Sequence, residues 1–282
     1  MNEYNSAETT LNLSLPNTKN NSYQLAWQDI HEGLRQWPIW LMMAWQDIRI
    51  RYRRSVLGPF WITISMAINI YTMGLLYGKL FRLDLAVYYP YLATGILAWS
   101  LISTLITEGS NIFVESDQFL KQMKMPYSTF VFRTIARNFI IFSHNLLVLI
   151  PIYLIFHIKV SWITPLALVG VAIFWVNAVA YTGLISILGT RFRDLPQLVN
   201  SLVQVVFFIT PIMWADRNLP EQYHFVIRYN PFAQYISLLR QPFLNQMPSA
   251  YTWLVTLGLT AFGLIMSFLL FARYRARIVY WL

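Results

Sequence analysis

Long stretches without a charged residue constrain the fold of this chain more than any other feature. After Arg54, for example, no charged residue occurs until Lys79. A helix needs about 20 apolar residues to cross the roughly 30 Å of hydrocarbon in a bilayer. Six stretches qualify, and none shows the alternating pattern of a membrane β-barrel strand. The sequence therefore predicts an all-α integral membrane protein with six transmembrane helices, at residues 57–78, 90–107, 138–156, 162–189, 195–214 and 250–272.

The composition agrees with a membrane protein and excludes some other classes. The chain is 57% hydrophobic and 12% charged, whereas a soluble domain averages about 25% charged residues. Its net charge of +9 lies in the connections between apolar stretches, so we expect no nucleic-acid partner. Without cysteine there is no disulfide framework and no thiolate metal site. Residues 1–24 are polar and lack the apolar segment of a signal peptide, which predicts a disordered cytoplasmic tail.

The distribution of lysine and arginine predicts the orientation. With a cytoplasmic N-terminus, the inside segments are residues 1–56, 108–137, 190–194 and 273–282. They hold fifteen of the 21 basic residues. Because cytoplasmic loops carry the excess of basic residues, both termini are expected in the cytoplasm, with the six-helix domain 57–272 in a bacterial inner membrane and residues 273–282 as a cytoplasmic tail.

Three segments outside the predicted spans carry further information. Residues 25–56 contain a basic amphipathic helix with Trp37, Leu41, Ala44, Ile48 and Tyr52 on one face, as in helices that lie in a membrane interface. The alternative is a simple positive flank of the first span. In the inside loop 108–137, the sequence ESDQFLKQMKMP predicts a short helix from Ser116 or Asp117 to before Pro126.

That loop helix exposes apolar side chains, which favours a docking surface; packing back onto the bundle is the alternative.

The third segment is the outside loop 215–249, in which Pro220 and Pro231 each stand where a short amphipathic helix could begin. Long loops with their own structure are usually functional.

Enzyme motifs are absent from the sequence. GLLYGK at 74–79 has the wrong spacing for a phosphate loop, and Gly74 and Gly78 are better explained by close helix packing. No acidic or basic residue lies in the middle of a predicted span, so an ion gradient has no group to couple to. A membrane-bound sugar-polymer enzyme would have to depend on Asp84, Asp216 or Glu221. A transporter driven by a separate ATPase subunit is therefore favoured.

Two motifs resemble the ABC-2 type permeases of polysaccharide exporters, the membrane subunits that export O-antigen, group 2 capsule or teichoic acid. They are RYRRSVLGPFW, with its amphipathic lead-in, and RFRDLPQLVNSLVQVVFFITPIMW followed by NPF. The resemblance covers about residues 25–282. It implies a homodimer with two cytoplasmic ATPase subunits that carry the ATP and Mg²⁺, and no cofactor in this chain. The implied cargo is a polysaccharide on undecaprenyl diphosphate or another lipid, with periplasmic gate helices in 215–249.

Residues can be given roles within this scheme, in a bilayer whose lipids surround the dimer. For the lipid phosphate we expect Arg49, Arg51, Arg53 and Arg54, because arginine forks suit phosphate oxygens; the alternative is that they only set topology. For ATPase coupling the residues are Glu115, Asp117, Phe119, Lys121, Met123 and Lys124. For the translocation path, along the first and fifth helices, they are Tyr71, Tyr77, Phe207, Phe208 and Trp214, with an interfacial aromatic belt as the alternative. Export of another lipid or hydrophobic cargo stays open.

Overall fold

The computed structural model describes residues 18–214 and 220–282, and the side chains of 18–21 and 221 lie outside that description. Within these residues the chain is helical and contains no strand, which confirms the all-α prediction. The helices are α1 (Thr18–Arg35), α2 (Trp37–Arg51), α3 (Phe60–Leu80), α4 (Leu85–Gly109), α5 (Ile112–Glu115), α6 (Asp117–Gln122), α7 (Tyr127–Asn145), α8 (Leu149–Ile155), α9 (Leu166–Arg191), α10 (Leu195–Ile209), α11 (His224–Tyr229), α12 (Pro231–Phe243), α13 (Ala250–Tyr274) and α14 (Ile278–Trp281).

Among the residues that the structure describes, five helical segments are long and apolar enough to cross a membrane. They are Phe60–Leu80, Leu85–Gly109, Tyr127–Ile155, Leu166–Arg191 and Ala250–Trp281. They correspond to five of the six predicted spans. The third begins at Tyr127, well before the predicted residue 138, because helix α7 starts directly after Pro126 and keeps its charged residues in its first turns.

The remaining predicted span, 195–214, is only partly helical. Helix α10 has 15 residues, a length of about 22 Å at 1.5 Å per residue. It ends at Ile209 because Thr210 precedes Pro211 and adopts extended backbone, with φ −87° and ψ 137°. The sixth transmembrane span therefore stays a prediction, and it requires the non-helical residues 210–214 to complete the crossing that α10 begins.

Helix α4 lies at the centre of the bundle and contacts α3, α7, α9, α10 and α12. Its buried side chains include Leu92, Ala93 and Leu97. Glycines let α3 approach it closely: a Cβ on Gly74 would lie 2.3 Å from the ring of Tyr89, and one on Gly78 would lie 2.3 Å from Leu85. The packing role predicted for both glycines is confirmed.

The N-terminal helices pack along α7. Helix α2 buries Trp40, Ala44 and Ile48, whereas the predicted apolar face also contained Trp37 and Leu41, both of which are exposed. The face in contact with protein is therefore rotated relative to the predicted one, and the membrane-interface position of α2 stays a prediction. Helix α1 includes residues 18–24, which were expected to be disordered; residues 1–17 lie outside the described part.

The second half of the loop 215–249 forms helix α12, which packs into the helix bundle. A 3₁₀ turn at Glu221–Tyr223 precedes α11, and Asn230 caps α12 by accepting from the backbone N–H groups of Phe232 and Ala233. Helix α12 packs against α4, α9 and α13, so it is buried between these helices. The predicted helix start at Pro231 is confirmed, while residues 215–219, which contain Asp216, lie outside the described part.

Candidate functional site

Two peripheral helices carry polar side chains on exposed faces. On α3 these are Ser65, Asn69 and Thr72, spaced by about one helical turn. On α10 they are Gln197, Asn200, Ser201 and Gln204. Exposed amides are unfavourable against lipid tails, so these faces require water or another protein surface. We call them the polar stripes.

Helix α4 contacts both α3 and α10 and adds hydroxyl groups along its length. Ser100, Ser103, Thr104 and Thr107 are partly exposed. Each hydroxyl donates to a carbonyl about one turn earlier, as Thr104 Oγ1 does to Ser100 O at 2.8 Å and Thr107 Oγ1 to Ser103 O at 2.9 Å. Because these donors are satisfied inside the helix, their oxygens remain able to accept further hydrogen bonds.

A network of ion pairs closes one end of this arrangement. Arg137 bridges two carboxylates, with Nη1 2.9 Å from Asp47 Oδ2 and Nη2 2.9 Å from Glu108 Oε2. Arg133 Nε donates to Asp47 Oδ2 at 2.8 Å, and Asn138 Nδ2 donates to Glu108 Oε2 at 2.7 Å. The network joins α2, α4 and α7. We call this end, where most of the arginines lie, the basic end.

The ion-pair network was not predicted from the sequence. The only local signal is the i, i+4 spacing of Arg133 and Arg137 on what proves to be the first part of α7. Their carboxylate partners lie about 30 and 90 residues away in the chain, so the pairing appears only in the fold.

The four arginines predicted to meet a lipid phosphate lie at the basic end and are all exposed. Arg51 Nη2 is 3.9 Å from Glu108 Oε1, which connects it to the ion-pair network. Arg49, Arg53 and Arg54 form no salt bridge with any residue that the structure describes. The chain turns here with positive φ at Arg54 (69°) and Gly58 (54°) before α3 begins. A group of exposed cations thus stands at the entry to the first span.

The residues predicted to couple to an ATPase lie on α5, α6 and the turn that follows. Phe119 and Met123 are 43% and 50% exposed, and Lys121 pairs with Asp117 at 2.8 Å. The Arg133 guanidinium lies 5.9 Å from the centre of the Phe119 ring. Lys124 is exposed, whereas Leu120 and Met125 pack against the core. The segment therefore packs back through one face and leaves apolar side chains exposed on the other.

Glu115, at the end of α5, has a side chain that reaches the surface. Partial burial raises the pKa of its carboxyl above the ordinary value; Arg137 opposes this effect and Glu108 adds to it. The carboxyl therefore responds to the charges of the ion-pair network, although it is not bonded to them.

The five aromatic residues predicted for the path lie in three places: on α3, on α10 and in the segment that follows α10. Tyr71 donates to Val148 O at 3.0 Å, which joins α3 to the 3₁₀ turn before α8. Tyr77 stacks on Phe81 at the end of the same helix, with ring centres 5.9 Å apart, and is partly buried against the core. On α10, Phe207 packs against Trp99 while Phe208 is 72% exposed.

Trp214, the last of the five, lies at the end of the bundle opposite the basic end. Its ring nitrogen donates to Phe208 O at 3.2 Å, and it lines a cavity of about 810 Å³ together with Tyr88, Tyr91 and Arg240. Arg240 holds the chain after α10, because it donates to Pro211 O at 2.8 Å and Ile212 O at 3.2 Å. Sequence reasoning missed Arg240 as a buried residue.

Comparisons with known proteins identify the family. The family model described as ABC-2 type transporter matches residues 39–244. An O-antigen export system permease protein RfbA of Klebsiella pneumoniae is 27% identical over 225 residues, which cover 77% of this chain and 84% of the relative. A protein of the same name from Myxococcus xanthus is 22% identical over 182 residues, covering 64% of this chain and 70% of the relative. The chain belongs to the ABC-2 type transporter family of membrane proteins.

Proposed function

We propose that this chain is the permease subunit of an ATP-driven exporter that moves a lipid-linked polysaccharide of the O-antigen class across the bacterial inner membrane. The observation that carries the proposal is the pair of polar stripes on α3 and α10, which flank the hydroxyl groups of α4. A polysaccharide is rich in hydroxyl groups, so amides and hydroxyls are suitable hydrogen-bond partners for it. The names of the relatives, O-antigen export permeases, favour the same cargo.

Two copies of the chain form the path. In one copy the polar stripes are exposed at the edge of the bundle, and a second copy related by two-fold symmetry would cover them while leaving a hydrated space between. Both termini lie in the cytoplasm, and residues 195–214 complete the sixth crossing. The buried helix α12 and the cavity at Trp214 then lie on the periplasmic side, where they gate the exit.

Docking of the ATPase subunits and binding of the lipid phosphate both take place at the basic end in this scheme. The exposed apolar residues Phe119 and Met123 dock two cytoplasmic ATPase subunits, which bind the ATP and Mg²⁺. Arg49, Arg51, Arg53 and Arg54 receive the lipid phosphate, since each basic residue near an anionic leaflet contributes about 1 kcal/mol. The chain itself performs no covalent chemistry in this scheme.

Cysteine accessibility tests the hydrated path. The chain contains no cysteine, so single substitutions can be labelled without background. Gln204→Cys on the α10 stripe is expected to react with a charged, water-soluble thiol reagent in membranes. The matched control is Leu254→Cys on α13, which is 72% exposed and is expected to face lipid and stay unreactive. Equal reactivity at the two positions, or protection of Gln204→Cys, would argue against a hydrated path at α10.

A further inference from the structure

A second cavity lies between α3, α4 and α7, beside the hydroxyl groups of α4. Its volume is about 360 Å³, within the range of about 300–1,000 Å³ typical of small-molecule pockets. Its polar lining consists of Ser65, Asn69, Ser100, Thr104, Asn138 and Asn145, and its apolar lining consists of Ile62, Met66, Ile96, Leu101, Ile141 and Phe142. We call it the inner cavity. It contains three amides and three hydroxyls but no charged side chain.

Asn145 gives the inner cavity an unused hydrogen-bond acceptor. The residue is 3% exposed, and its Oδ1 accepts no hydrogen bond from any residue that the structure describes. A buried amide oxygen without a donor is unfavourable and rare in folded proteins. The cavity therefore offers a buried acceptor to a ligand that carries hydroxyl groups.

The chemistry of the lining selects one class of ligand. A phosphate would need a cation, and no lysine or arginine lines the cavity. A lipid tail would leave the buried Oδ1 of Asn145 without a hydrogen-bond donor. A sugar ring fits both parts of the lining, because its hydroxyls bond to amides and hydroxyls while its C–H face packs on side chains such as Ile141 and Phe142.

The inner cavity lies close to Arg51, one of the arginines predicted to bind the lipid phosphate. Asn138 lines the cavity and also donates to Glu108 Oε2 at 2.7 Å, and the other oxygen of Glu108 lies 3.9 Å from Arg51. A lipid phosphate at Arg51 would thus be separated from the cavity by one carboxylate and one amide. Ser65 on α3 lines the cavity and is exposed at the surface.

We propose that the inner cavity binds a single neutral sugar ring of the cargo, next to the lipid phosphate. The inference rests on the proposed function, since it assumes a lipid-linked sugar as cargo. It adds a specific subsite to a path that would otherwise contact sugars loosely. Asn145 and Asn69 are then specificity-determining residues.

Photo-crosslinking with two probes tests the subsite on the full-length chain in vesicles. The probes are undecaprenyl diphosphate carrying a short neutral oligosaccharide and undecaprenyl diphosphate without sugar. A benzophenone amino acid is placed at Ser65, where the inner cavity meets the α3 polar stripe, at Gln204 on the α10 stripe and at Leu254 as the lipid-facing control. We expect Ser65 to crosslink the sugar-bearing probe at least fivefold more than the sugar-free probe, and Leu254 to show no such preference.

Variants inside the cavity sharpen the test. Asn145→Leu removes the acceptor, and Met66→Trp fills the space without removing a hydrogen bond. Each should lower the sugar-dependent crosslink at Ser65 at least fivefold and leave the crosslink at Gln204 unchanged, with thermal unfolding used to confirm that the variants fold.

The outcomes separate the subsite from the proposed function. Because Ser65 also belongs to the α3 polar stripe, a sugar-dependent crosslink at Ser65 that neither Asn145→Leu nor Met66→Trp lowers comes from the path; it overturns the subsite and leaves the proposed function intact. A sugar-dependent crosslink at Gln204 but not at Ser65 also overturns the subsite and leaves the α10 side of the path intact. Equal crosslinking of both probes at Ser65 means that the lipid part of the probe, and not the sugar, lies at the cavity, and also overturns the subsite. Absence of sugar-dependent crosslinking at both positions contradicts the proposed function together with the subsite.

Discussion

Arg275 Nε donates to Asp29 Oδ2 at 2.9 Å across 246 residues of chain. The Asp29 side chain is fully buried, and its other oxygen accepts from the backbone N–H of Ser128 at 3.0 Å. One carboxylate therefore joins the N-terminal helix α1, the start of α7 and the 3₁₀ turn that follows α13. A buried carboxylate is tolerated only when its oxygens are occupied by donors in this way.

Asp29→Ala should destabilise the protein strongly. The substitution leaves the Arg275 guanidinium and the N–H of Ser128 without their acceptor, and removing one partner of a buried ion pair costs about 3–5 kcal/mol. The measurement is equilibrium unfolding in detergent. The control is Asp117→Ala, which breaks an exposed i, i+4 pair with Lys121 worth about 0.3–0.5 kcal/mol. Equal losses for the two variants would contradict the structural role of Asp29.

Coupling across the ion-pair network can be measured with Arg137 and Glu108. We expect Arg137→Met and Glu108→Gln to be non-additive in the free energy of unfolding by about 0.5–3 kcal/mol, because their charged groups are 2.9 Å apart. Exact additivity of the two changes would mean that the pair does not form in the membrane protein.

Gly74→Ala should push α3 away from α4. A Cβ at this position would lie 2.3 Å from the ring of Tyr89, and overpacking of this kind costs about 1–3 kcal/mol. Gly258→Ala on α13 is the matched control: its Cβ would meet no atom within 4 Å, so the protein should be unchanged or slightly stabilised. A neutral Gly74→Ala would show that α3 is not closely packed on α4.

The arginine group should determine affinity for the lipid phosphate. Replacing Arg53 and Arg54 with Gln should weaken binding to vesicles that contain undecaprenyl diphosphate by roughly 2 kcal/mol, at about 1 kcal/mol for each basic residue. Because the attraction is electrostatic, the difference should shrink in high salt. Lys79→Gln with Arg82→Gln removes the same charge at the opposite end of α3 and should leave binding unchanged. A loss of affinity in the control pair as large as that at Arg53 and Arg54 would argue against a phosphate site at the basic end.

Lys121 and Lys124, on α6 and the turn that follows it, should help to couple ATP hydrolysis to transport. Lys121→Glu with Lys124→Glu reverses exposed charges beside Phe119, which should lower the transport obtained per ATP hydrolysed at least severalfold in a complex with the partner ATPase. Lys159→Glu reverses a charge in the connection between α8 and α9 and serves as the control. Unchanged coupling in the double variant would place the ATPase contact elsewhere.

The sequence predicted those features that depend on local composition. Absence of charge over about 20 residues was sufficient to locate five helices that are long and apolar enough to cross a membrane, and Pro231 indicated the start of α12. The helix that contains the third predicted span begins earlier than residue 138, because Arg133 and Arg137 lie within α7 and pair with Asp47 and Glu108 from other helices. A search for charge-free stretches omits helical turns that contain a charged residue, even when that residue is paired with a carboxylate from a distant part of the chain.

Other features of the site could not be obtained from local patterns. The apolar run 195–209 continues to Trp214 in the sequence, but Pro211 ends the helix early. The inner cavity depends on three helices that bring Asn69, Ser100 and Asn145 together. Single polar residues in apolar segments gave no indication that they would share one cavity.

ATP-dependent uptake into inside-out vesicles tests the central claim most directly. Vesicles that hold this chain and its partner ATPase are supplied with a lipid-linked polysaccharide, and the polymer protected inside the vesicles is measured. We predict ATP-dependent accumulation that is lost when Gln204→Cys is labelled with a bulky thiol reagent and is retained when Leu254→Cys is treated in the same way. Accumulation that is independent of ATP, or that is unaffected by labelling at Gln204→Cys, would contradict a polysaccharide path along α10.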